Sequence, residues 1–457
     1  MTSVETSIAE RLLTHLRDGT ADSAETDLRL PAWHYYDEGH AARERALFFR
    51  TPLVATVSSA LPAPGSFVTL DLIGVPLLLV RQDDGSLAGF RNVCRHRGGP
   101  VEQQACGSRR VFTCRYHGWT YDRDGDLRNV PYSDGFDSVE PACHGLVRIG
   151  AAERHGLVFV TLGSTEPPDV AAWLGPEFDE QLAPLGLESW SLHVDEAFTQ
   201  PVNWKLVADG LLDILHPKFL HPDSVGKLIL THTHTFDRYG RHARLAMARH
   251  KLDRFKDDAP DGADLRRYVI TNFILYPNTM LVTQPDHFEL WTVFPGADSA
   301  QTSTTSIRFI VPNLPQTDAE RVLPALVDQE QEALDQLVLE RALLADELLG
   351  PVDELAGPSH HHRQDEAVAV VEVPVDRRAR HAGHLGDVVH GGLGDAVLVE
   401  ARLRCLHETV LRRLGVARQR RGASTGQSGP PSSDREFDTA YRTENVLCPN
   451  AFCRGGR

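Results

Sequence analysis

Two short segments of the chain each carry a cysteine followed closely by a histidine. Cys94 and His96 form a Cys-x-His pair, and Cys114 and His117 form a Cys-x-x-His pair. Thiolates and imidazoles are the ligands that proteins offer to zinc and to the irons of iron–sulfur clusters. The four residues therefore predict a metal centre built from two loops.

The mixture of residue types within each loop discriminates between two kinds of centre. Two cysteines with two histidines suit either a tetrahedral zinc ion or a [2Fe–2S] cluster with both histidines on one iron. Zinc sites usually group cysteine with cysteine, whereas here each loop supplies one residue of each type. This favours the cluster, with Cys94 and Cys114 on one iron and His96 and His117 on the other. The glycines after each histidine would let backbone amides approach the sulfurs.

A second set of candidate ligands lies in residues 203–221, NWKLVADGLLDILHPKFLH. The pattern predicts a helix disturbed near its end, on which Asp213 and His216 share a face because they are three residues apart. His216 and His221 are five apart, so a regular helix would point them about 140° away from each other. They converge only if the helix breaks or widens, and the proline after each histidine favours this, for example as a π-type bulge. Two histidines with one carboxylate form the facial site of non-haem Fe(II) oxygenases.

The elements around these residues predict an α+β fold. Residues 53–162 consist of short β-rich runs separated by Gly, Asp and Pro, which is typical of a small antiparallel domain with hairpins such as the one at Asp124-Gly125. After a linker at 164–170, the runs YVITNFILYP, TMLVTQ, ELWTVFP and TSIRFIVP predict strands. A long helix is expected over roughly 318–349, so the second domain combines helices with an antiparallel sheet.

With both motifs in view, the chain resembles the large (alpha) subunits of Rieske non-haem iron oxygenases, the aromatic-ring-hydroxylating family. The resemblance covers roughly residues 45–350 and is strongest in C-x-H…C-x-x-H and in N-W-K…D-x-x-H-x4-H. It implies four regions, which are an N-terminal helical segment (1–44), a β-rich Rieske [2Fe–2S] domain (45–163), a helix-grip catalytic domain (164–350) and an atypical tail (351–457).

The resemblance also implies roles for individual residues and partners. His216 and His221 would bind a mononuclear Fe(II), with Asp335 of the D-x4-E segment as third ligand and Asp328 or Asp365 as weaker alternatives. Asp213 would bridge the centres by hydrogen-bonding His216 in its own chain and His117 of an adjacent chain in a homotrimer. Electrons would come from NAD(P)H only indirectly, through a reductase or ferredoxin. With O₂, the enzyme would dihydroxylate, monohydroxylate or demethylate a small organic substrate, for example an aromatic acid.

Composition narrows the other possibilities. The net charge of −16 argues against nucleic-acid binding through a basic surface. The longest apolar runs fall short of a membrane span, and the N-terminus lacks a basic start followed by an apolar core. Seven scattered cysteines do not suggest a disulfide framework, so Cys106 and Cys143 are interpreted as ordinary thiols and the protein is expected to be cytoplasmic.

The C-terminal region reads differently from the rest. From Pro358 on there are 15 arginines and no lysines, and RGASTGQSGPPSSD offers almost nothing to bury. Residues 351–457 are therefore expected to be partly disordered, either as an extension or as a divergent C-terminus.

Two other functions remain open on the sequence alone. A Rieske-type electron carrier would need the cluster but no second iron, and a zinc-stabilised binding protein would need neither. Substrate chemistry is also open, since a carboxylated substrate would require Arg or Lys in the cavity and a quaternary ammonium would require aromatic or acidic side chains.

Overall fold

The computed structural model describes residues 3–25, 28–135, 139–222, 225–255 and 265–314. Helix α1 (Ser3–Asp18) and helix α2 (Glu38–Phe48) precede the first strand. The side chains of Ile8, Leu12 and their neighbours pack α1 against Ala246 and Ala248 of a later sheet. No helix in the described part of the chain is long and apolar enough to cross a membrane.

Residues 53–161 form ten short strands, as the alternation of β-rich runs and turn residues predicts. They are β1 (Leu53–Val57), β2 (Ser66–Leu72), β3 (Val75–Arg81), β4 (Leu87–Arg91), β5 (Cys106–Ser108), β6 (Val111–Thr113), β7 (Thr120–Asp122), β8 (Leu127–Asn129), β9 (Arg148–Arg154) and β10 (Leu157–Thr161). Seven make one sheet in the order β1-β10-β9-β4-β3-β2-β5, and β6-β7-β8 make a small second sheet. Gly125, with φ +81°, forms the predicted turn between β7 and β8.

The second half of the described chain is one antiparallel sheet with helices. Its strands are β11 (Ser191–Gln200), β12 (Ile229–Tyr239), β13 (His242–Arg249), β14 (Val269–Leu275), β15 (Thr279–Thr283), β16 (Phe288–Pro295) and β17 (Ser303–Val311). Their order is β11-β17-β16-β15-β14-β13-β12. The helices are α3 (Val170–Leu174), α4 (Pro176–Leu182), α5 (Trp204–Leu212) and α6 (His216–Leu220).

The two faces of this sheet bury different partners. Phe288 and Leu290 point to one side and join the core cluster of the β1–β10 sheet. Trp291 and Val293 alternate with them and pack, together with Met247, Val282 and Phe309, against Val207 of α5. We call this second side the α5 face, because the helix that precedes the candidate iron ligands lies on it.

The α+β architecture with antiparallel sheets is confirmed, and the expectations for the linker and for two cysteines can also be compared with the structure. The linker at 164–170 lies between β10 and α3 with no strand or helix until Val170. The predicted helix over 318–349 and the tail at 351–457 lie outside the described residues. Cys143 is a free, exposed thiol. Cys106 is disulfide-bonded, so its interpretation as an ordinary thiol is wrong. The number and spacing of cysteines do not reveal which of them form disulfides.

Candidate metal centres

The two cysteine loops adopt the same backbone turn. In the first, the Cys94 amide donates to the carbonyl five residues later (2.8 Å), and the Gly98 amide donates back to the Cys94 carbonyl (3.0 Å). Around Cys114 both bonds recur at 2.9 Å, with Gly118 in the place of Gly98. These glycines have φ of +78° and +72°, the left-handed region that side chains disfavour. The turn explains why glycine follows each cysteine by four residues.

The structure brings the four predicted cluster ligands together. Cys94 and Cys114 are 4% and 3% exposed, so both thiols lie inside the loops. The ring centroids of His96 and His117 are 4.5 Å apart. His96 is half-buried and stacks on Trp119 at 5.0 Å, whereas His117 is exposed. An inner pair of thiols and an outer pair of imidazoles is the arrangement in which each loop could supply one ligand to each iron of a two-iron cluster.

The electrostatics of the loops suit a positively charged centre. Burial raises the pKa of the Cys114 thiol, the neighbouring Cys94 raises it further, and the amides of Tyr116 and His117, which hydrogen-bond the sulfur, lower it. Two thiolates side by side in a buried site are costly unless a metal compensates them. Burial and the proximity of His117 and Arg97 lower the pKa of His96, which favours the neutral imidazole that binds metals. The side chains therefore fit a [2Fe–2S] cluster.

Tyr121 of β7 is a residue of this site that the sequence analysis missed. Its hydroxyl oxygen lies 3.4 Å from Cys94 Sγ and accepts a hydrogen bond from the Arg95 amide at 3.0 Å. Because that amide already donates to the oxygen, the phenolic proton is available to the sulfur. The ring is fully buried, and burial raises the pKa of Tyr121, so the phenol stays protonated. Nothing in the short run TYD distinguishes Tyr121 from an ordinary core tyrosine.

We expect Tyr121→Phe to lower the reduction potential of the cluster while the protein keeps its iron. A hydrogen bond to a cluster sulfur stabilises the reduced state. The net free energy of such a bond, about 0.5 to 1.5 kcal/mol, corresponds to a shift in reduction potential of roughly 20 to 60 mV for one electron. Redox titration followed by EPR measures the shift. Tyr132→Phe, which changes a tyrosine that is 93% exposed, is the control. An unchanged potential in Tyr121→Phe would show that the hydroxyl does not act on the cluster.

The second set of predicted ligands lies where a helix ends and another begins. Asn203 caps α5, because its side chain accepts from the Lys205 amide (3.0 Å) and donates to the Ala300 carbonyl (2.8 Å). The helix stops at Leu212, and Asp213 is extended, with φ −73° and ψ 111°. The expectation that Asp213 and His216 share a helix face is therefore wrong, whereas the expected disturbance near the end of the helix is present. A break, rather than a π-type bulge, separates α5 from the five-residue helix α6.

The break lets the two histidines converge. His216 is the first residue of α6, and His221 leaves the helix with φ −119° and ψ 48°. The two rings meet edge-on, with centroids 5.2 Å apart and planes at 87°. The Gly226 amide donates to the His221 carbonyl at 3.0 Å and so fixes the turn that follows. Burial and the nearby His216 lower the pKa of His221, which again favours a neutral, metal-binding ring.

Asp213 positions His216 through its backbone. His216 Nδ1 lies 2.6 Å from the Asp213 carbonyl oxygen and donates to it, so in the neutral ring Nε2 is the nitrogen that carries the lone pair. The Asp213 carboxylate accepts instead from the backbone amides of Leu215 (2.8 Å) and His216 (3.3 Å). Its carbonyl thus orients the ring while its carboxylate stabilises the break.

The described residues contain two of the three predicted iron ligands. Asp335 and its alternatives Asp328 and Asp365 lie outside the described residues. Within the described ranges no three His, Cys, Asp or Glu residues converge on one point. Two converging imidazoles, of which His216 is oriented by the Asp213 carbonyl, fit a ferrous ion that still needs a carboxylate.

Two models of known protein families match separate parts of the chain. Residues 51–140 match the model of the Rieske [2Fe-2S] domain, and residues 186–340 match that of the ring hydroxylating alpha subunit catalytic domain. Each match includes the side chains described above. The chain belongs to the family of Rieske non-haem iron, aromatic-ring-hydroxylating oxygenases, as a large (alpha) subunit.

Curated relatives include both monooxygenases and dioxygenases. The chain is 32% identical over 233 residues to the glycine betaine monooxygenase oxygenase subunit of Chromohalobacter salexigens, covering 50% of this chain and 52% of that protein. It is 31% identical over 196 residues to the large oxygenase component of naphthalene 1,2-dioxygenase from Pseudomonas putida, covering 40% and 41%. The chain therefore spans about half the length, or less, of the curated relatives it matches.

Solved structures share the fold. A quaternary ammonium Rieske monooxygenase in complex with L-carnitine superposes with a TM-score of 0.59 at 22% identity, covering 69% of this chain and 85% of that one. Naphthalene 1,2-dioxygenase from Rhodococcus sp. gives a TM-score of 0.55 at 17% identity, covering 74% and 87%. At these identities the likeness concerns the fold alone.

Proposed function

We propose that the chain is the catalytic subunit of an oxygenase that uses O₂ and reductase-supplied electrons to hydroxylate a small organic substrate. The reaction would be dihydroxylation, monohydroxylation or demethylation at a mononuclear Fe(II). One observation supports this above all others: His216 and His221 converge after the helix break, with the Nδ1 of His216 held by a carbonyl. A pure electron carrier has no use for that second pair of imidazoles, which weighs against the alternative.

The chain's own residues would bind and orient what the irons act on. When bound, the two iron centres would supply one-electron transfer and O₂ activation. Cys94, Cys114, His96 and His117 would hold the cluster. His216 and His221 would hold the mononuclear iron through neutral rings. The apolar α5 face would exclude water from the substrate.

Partners and location follow from the same proposal. The curated relatives are components of oxygenase systems and are named for glycine betaine, 2,4-dinitrotoluene and naphthalene. By analogy, this chain would receive electrons from a reductase or ferredoxin in the cytoplasm. It would act as a homotrimer, in which Asp213 faces the His117 of a neighbouring subunit. The Rieske domain would span 45–163 and the catalytic domain 164–350.

Metal analysis joined to an O₂ assay tests the proposal. Protein reconstituted anaerobically with iron and sulfide should contain about three irons and two labile sulfides per chain. With a surrogate reductase it should take up O₂ only when a substrate is present. Aromatic acids and trimethylammonium compounds form the first panel. Zinc without sulfide would refute the cluster, and two irons without any substrate-dependent uptake would favour an electron carrier.

We expect Asp213→Asn to keep both iron centres but to slow electron transfer between them by about 10- to 100-fold, a range typical of residues that support ligands. The carbonyl that orients His216 is retained in this variant, so only the charge of the side chain changes. Stopped-flow oxidation of the pre-reduced cluster in the presence of substrate and O₂ measures the rate. Asp298→Asn, at an exposed loop position, is the matched control. A rate equal to that of the wild type would exclude Asp213 as the bridge.

A further inference from the structure

One buried arginine on the α5 face, Arg249, makes no direct ion pair with a described carboxylate. Burial lowers its pKa, and the charges of Glu289 and Asp286 offset this only in part. Arg249 is the last residue of β13 and is only 7% exposed. Leu245 and Met247 precede it on the same side of the strand and belong to the apolar cluster under α5. A guanidinium at the end of such a stripe has lost most of its hydration, a loss that protein groups normally offset by an ion pair.

The contacts of Arg249 leave part of its guanidinium group unused. Its Nη2 donates to Gln284 Oε1 at 2.5 Å. Its Nε is buried and, within the described residues, has no hydrogen-bond partner. Two other buried arginines of this sheet each pair with a carboxylate. Arg308 lies 3.0 Å from Asp195, and Arg244 lies 2.8 Å from Asp237. Among the described residues, Arg249 makes no such pair.

A network of hydrogen bonds holds the guanidinium in place. Gln284 accepts from Arg249 and donates through Nε2 to the Glu289 carboxylate at 2.6 Å. Glu289 also accepts from Trp291 Nε1 at 3.1 Å, and His287 Nε2 lies 3.4 Å from it. Glu289 is therefore already occupied by its own neighbours, and it serves to orient Gln284. Arg249 is the member of the network with donors to spare.

The register places Arg249 at the end of the sheet that is joined to the candidate iron ligands. Arg249 pairs with Ile229, the first residue of β12, which follows His221 by eight residues. The His250 amide donates to the Leu228 carbonyl at 3.2 Å and reinforces that junction. Ile229 belongs to the same apolar cluster that Ile214 packs against, two residues before His216. The arginine thus stands on the face where substrate would meet the mononuclear iron.

We propose that Arg249 anchors a carboxylate of the substrate, so that the substrates of this enzyme are small organic carboxylates. This inference rests on the proposed oxygenase function and specifies its substrate class. A planar guanidinium matches a carboxylate in two parallel hydrogen bonds, which fixes direction as well as affinity. Burial lowers the pKa of His287, but the hydrogen bonds and charges of Glu289 and Asp286 raise it overall, so Glu289 is engaged by His287, Gln284 and Trp291 and not by a direct contact with Arg249. A quaternary ammonium group has no acceptor to offer the Nε–H of Arg249.

Binding of matched probe pairs tests the anchor without turnover. Calorimetry compares benzoate with benzamide, and trimethylammonioacetate with its primary amide, on the reconstituted wild-type protein. In at least one pair, the acid should bind about 10- to 100-fold more tightly than its amide, the range of a charged hydrogen-bond pair. Arg249→Gln should abolish that preference, and Arg249→Lys should retain part of it. Lys251→Gln removes a cation from an exposed position two residues away and should leave the preference unchanged.

The outcomes distinguish this inference from the proposed function. No carboxylate preference in the wild type, or a preference that survives in Arg249→Gln, would overturn the anchor whatever the enzyme does with O₂. If Arg249→Gln fails to fold, the wild-type comparison and Arg249→Lys still decide. His216→Ala should lose O₂ uptake yet keep the preference for the acid. A protein that prefers the acid but shows no uptake under any condition would refute the oxygenase function and leave the anchor intact.

Discussion

Replacing His216 by alanine should lower the rate of substrate-dependent O₂ uptake by more than about a hundredfold. The visible and EPR spectra of the cluster should persist. Loss of a residue that merely supports a ligand costs 10- to 100-fold, so loss of the ligand itself should cost more. The two centres use separate segments of the chain, so the cluster ligands are unchanged in this variant. Iron content should fall by about one atom per chain.

The control for this variant is another histidine of the same domain. His232→Ala changes an exposed residue of β12. Its iron content and O₂ uptake should match those of the wild type. If His216→Ala binds a full complement of iron and still couples O₂ uptake to substrate, the assignment of this histidine is wrong and with it the catalytic proposal.

Replacing Cys114 by serine should remove the [2Fe–2S] cluster entirely. A hydroxyl is a poor ligand for cluster iron, and the neighbouring thiol, Cys94, is needed by the same cluster. The purified variant should lack the red-brown colour and the rhombic EPR signal after reduction. It should lose about two irons and two sulfides per chain while retaining the capacity for one iron elsewhere.

Cys143→Ser separates cluster loss from a general effect of removing a thiol. Cys143 is free, exposed and outside both loops. This variant should have the absorption spectrum and iron content of the wild type. A Cys114→Ser protein that remained coloured with a rhombic signal would contradict the assignment of Cys114, and a colour change in Cys143→Ser would show that the ligand set was chosen wrongly.

Local patterns in the sequence predict about half of the strands and the pairing of cysteine with histidine in each loop. Runs such as TSIRFIVP became β17, and the two Cys/His pairs met because hairpins bring the ends of short strands together. Strand β13, HARLAMAR, was not predicted. All eight of its residues are buried, since α1 covers one side and the α5 cluster lies on the other. A strand covered on both faces loses the alternation that identifies strands, and its histidine and arginines resemble a surface segment.

The geometry of the second site depended on backbone events that composition does not encode. The spacing of His216 and His221 showed that a regular helix was impossible, and the prolines pointed to an irregularity. The position of the break, however, is set by Asp213, whose carboxylate accepts the two amides that follow. A short polar side chain that competes for backbone donors can end a helix, but it does so only when tertiary packing permits. The buried state of Arg249 likewise arises from neighbours distant in sequence.

The two cysteine loops share a backbone turn but expose their histidines to different extents. Both loops place a glycine at the same interval from the cysteine, yet the histidine comes one position earlier in the first loop than in the second. That single offset sends the His96 ring inward onto an indole and leaves the His117 ring at the surface. The exposed His117 imidazole is therefore the side of the centre on which the proposed trimer would place Asp213 of a neighbouring subunit, whereas the indole covers the His96 side.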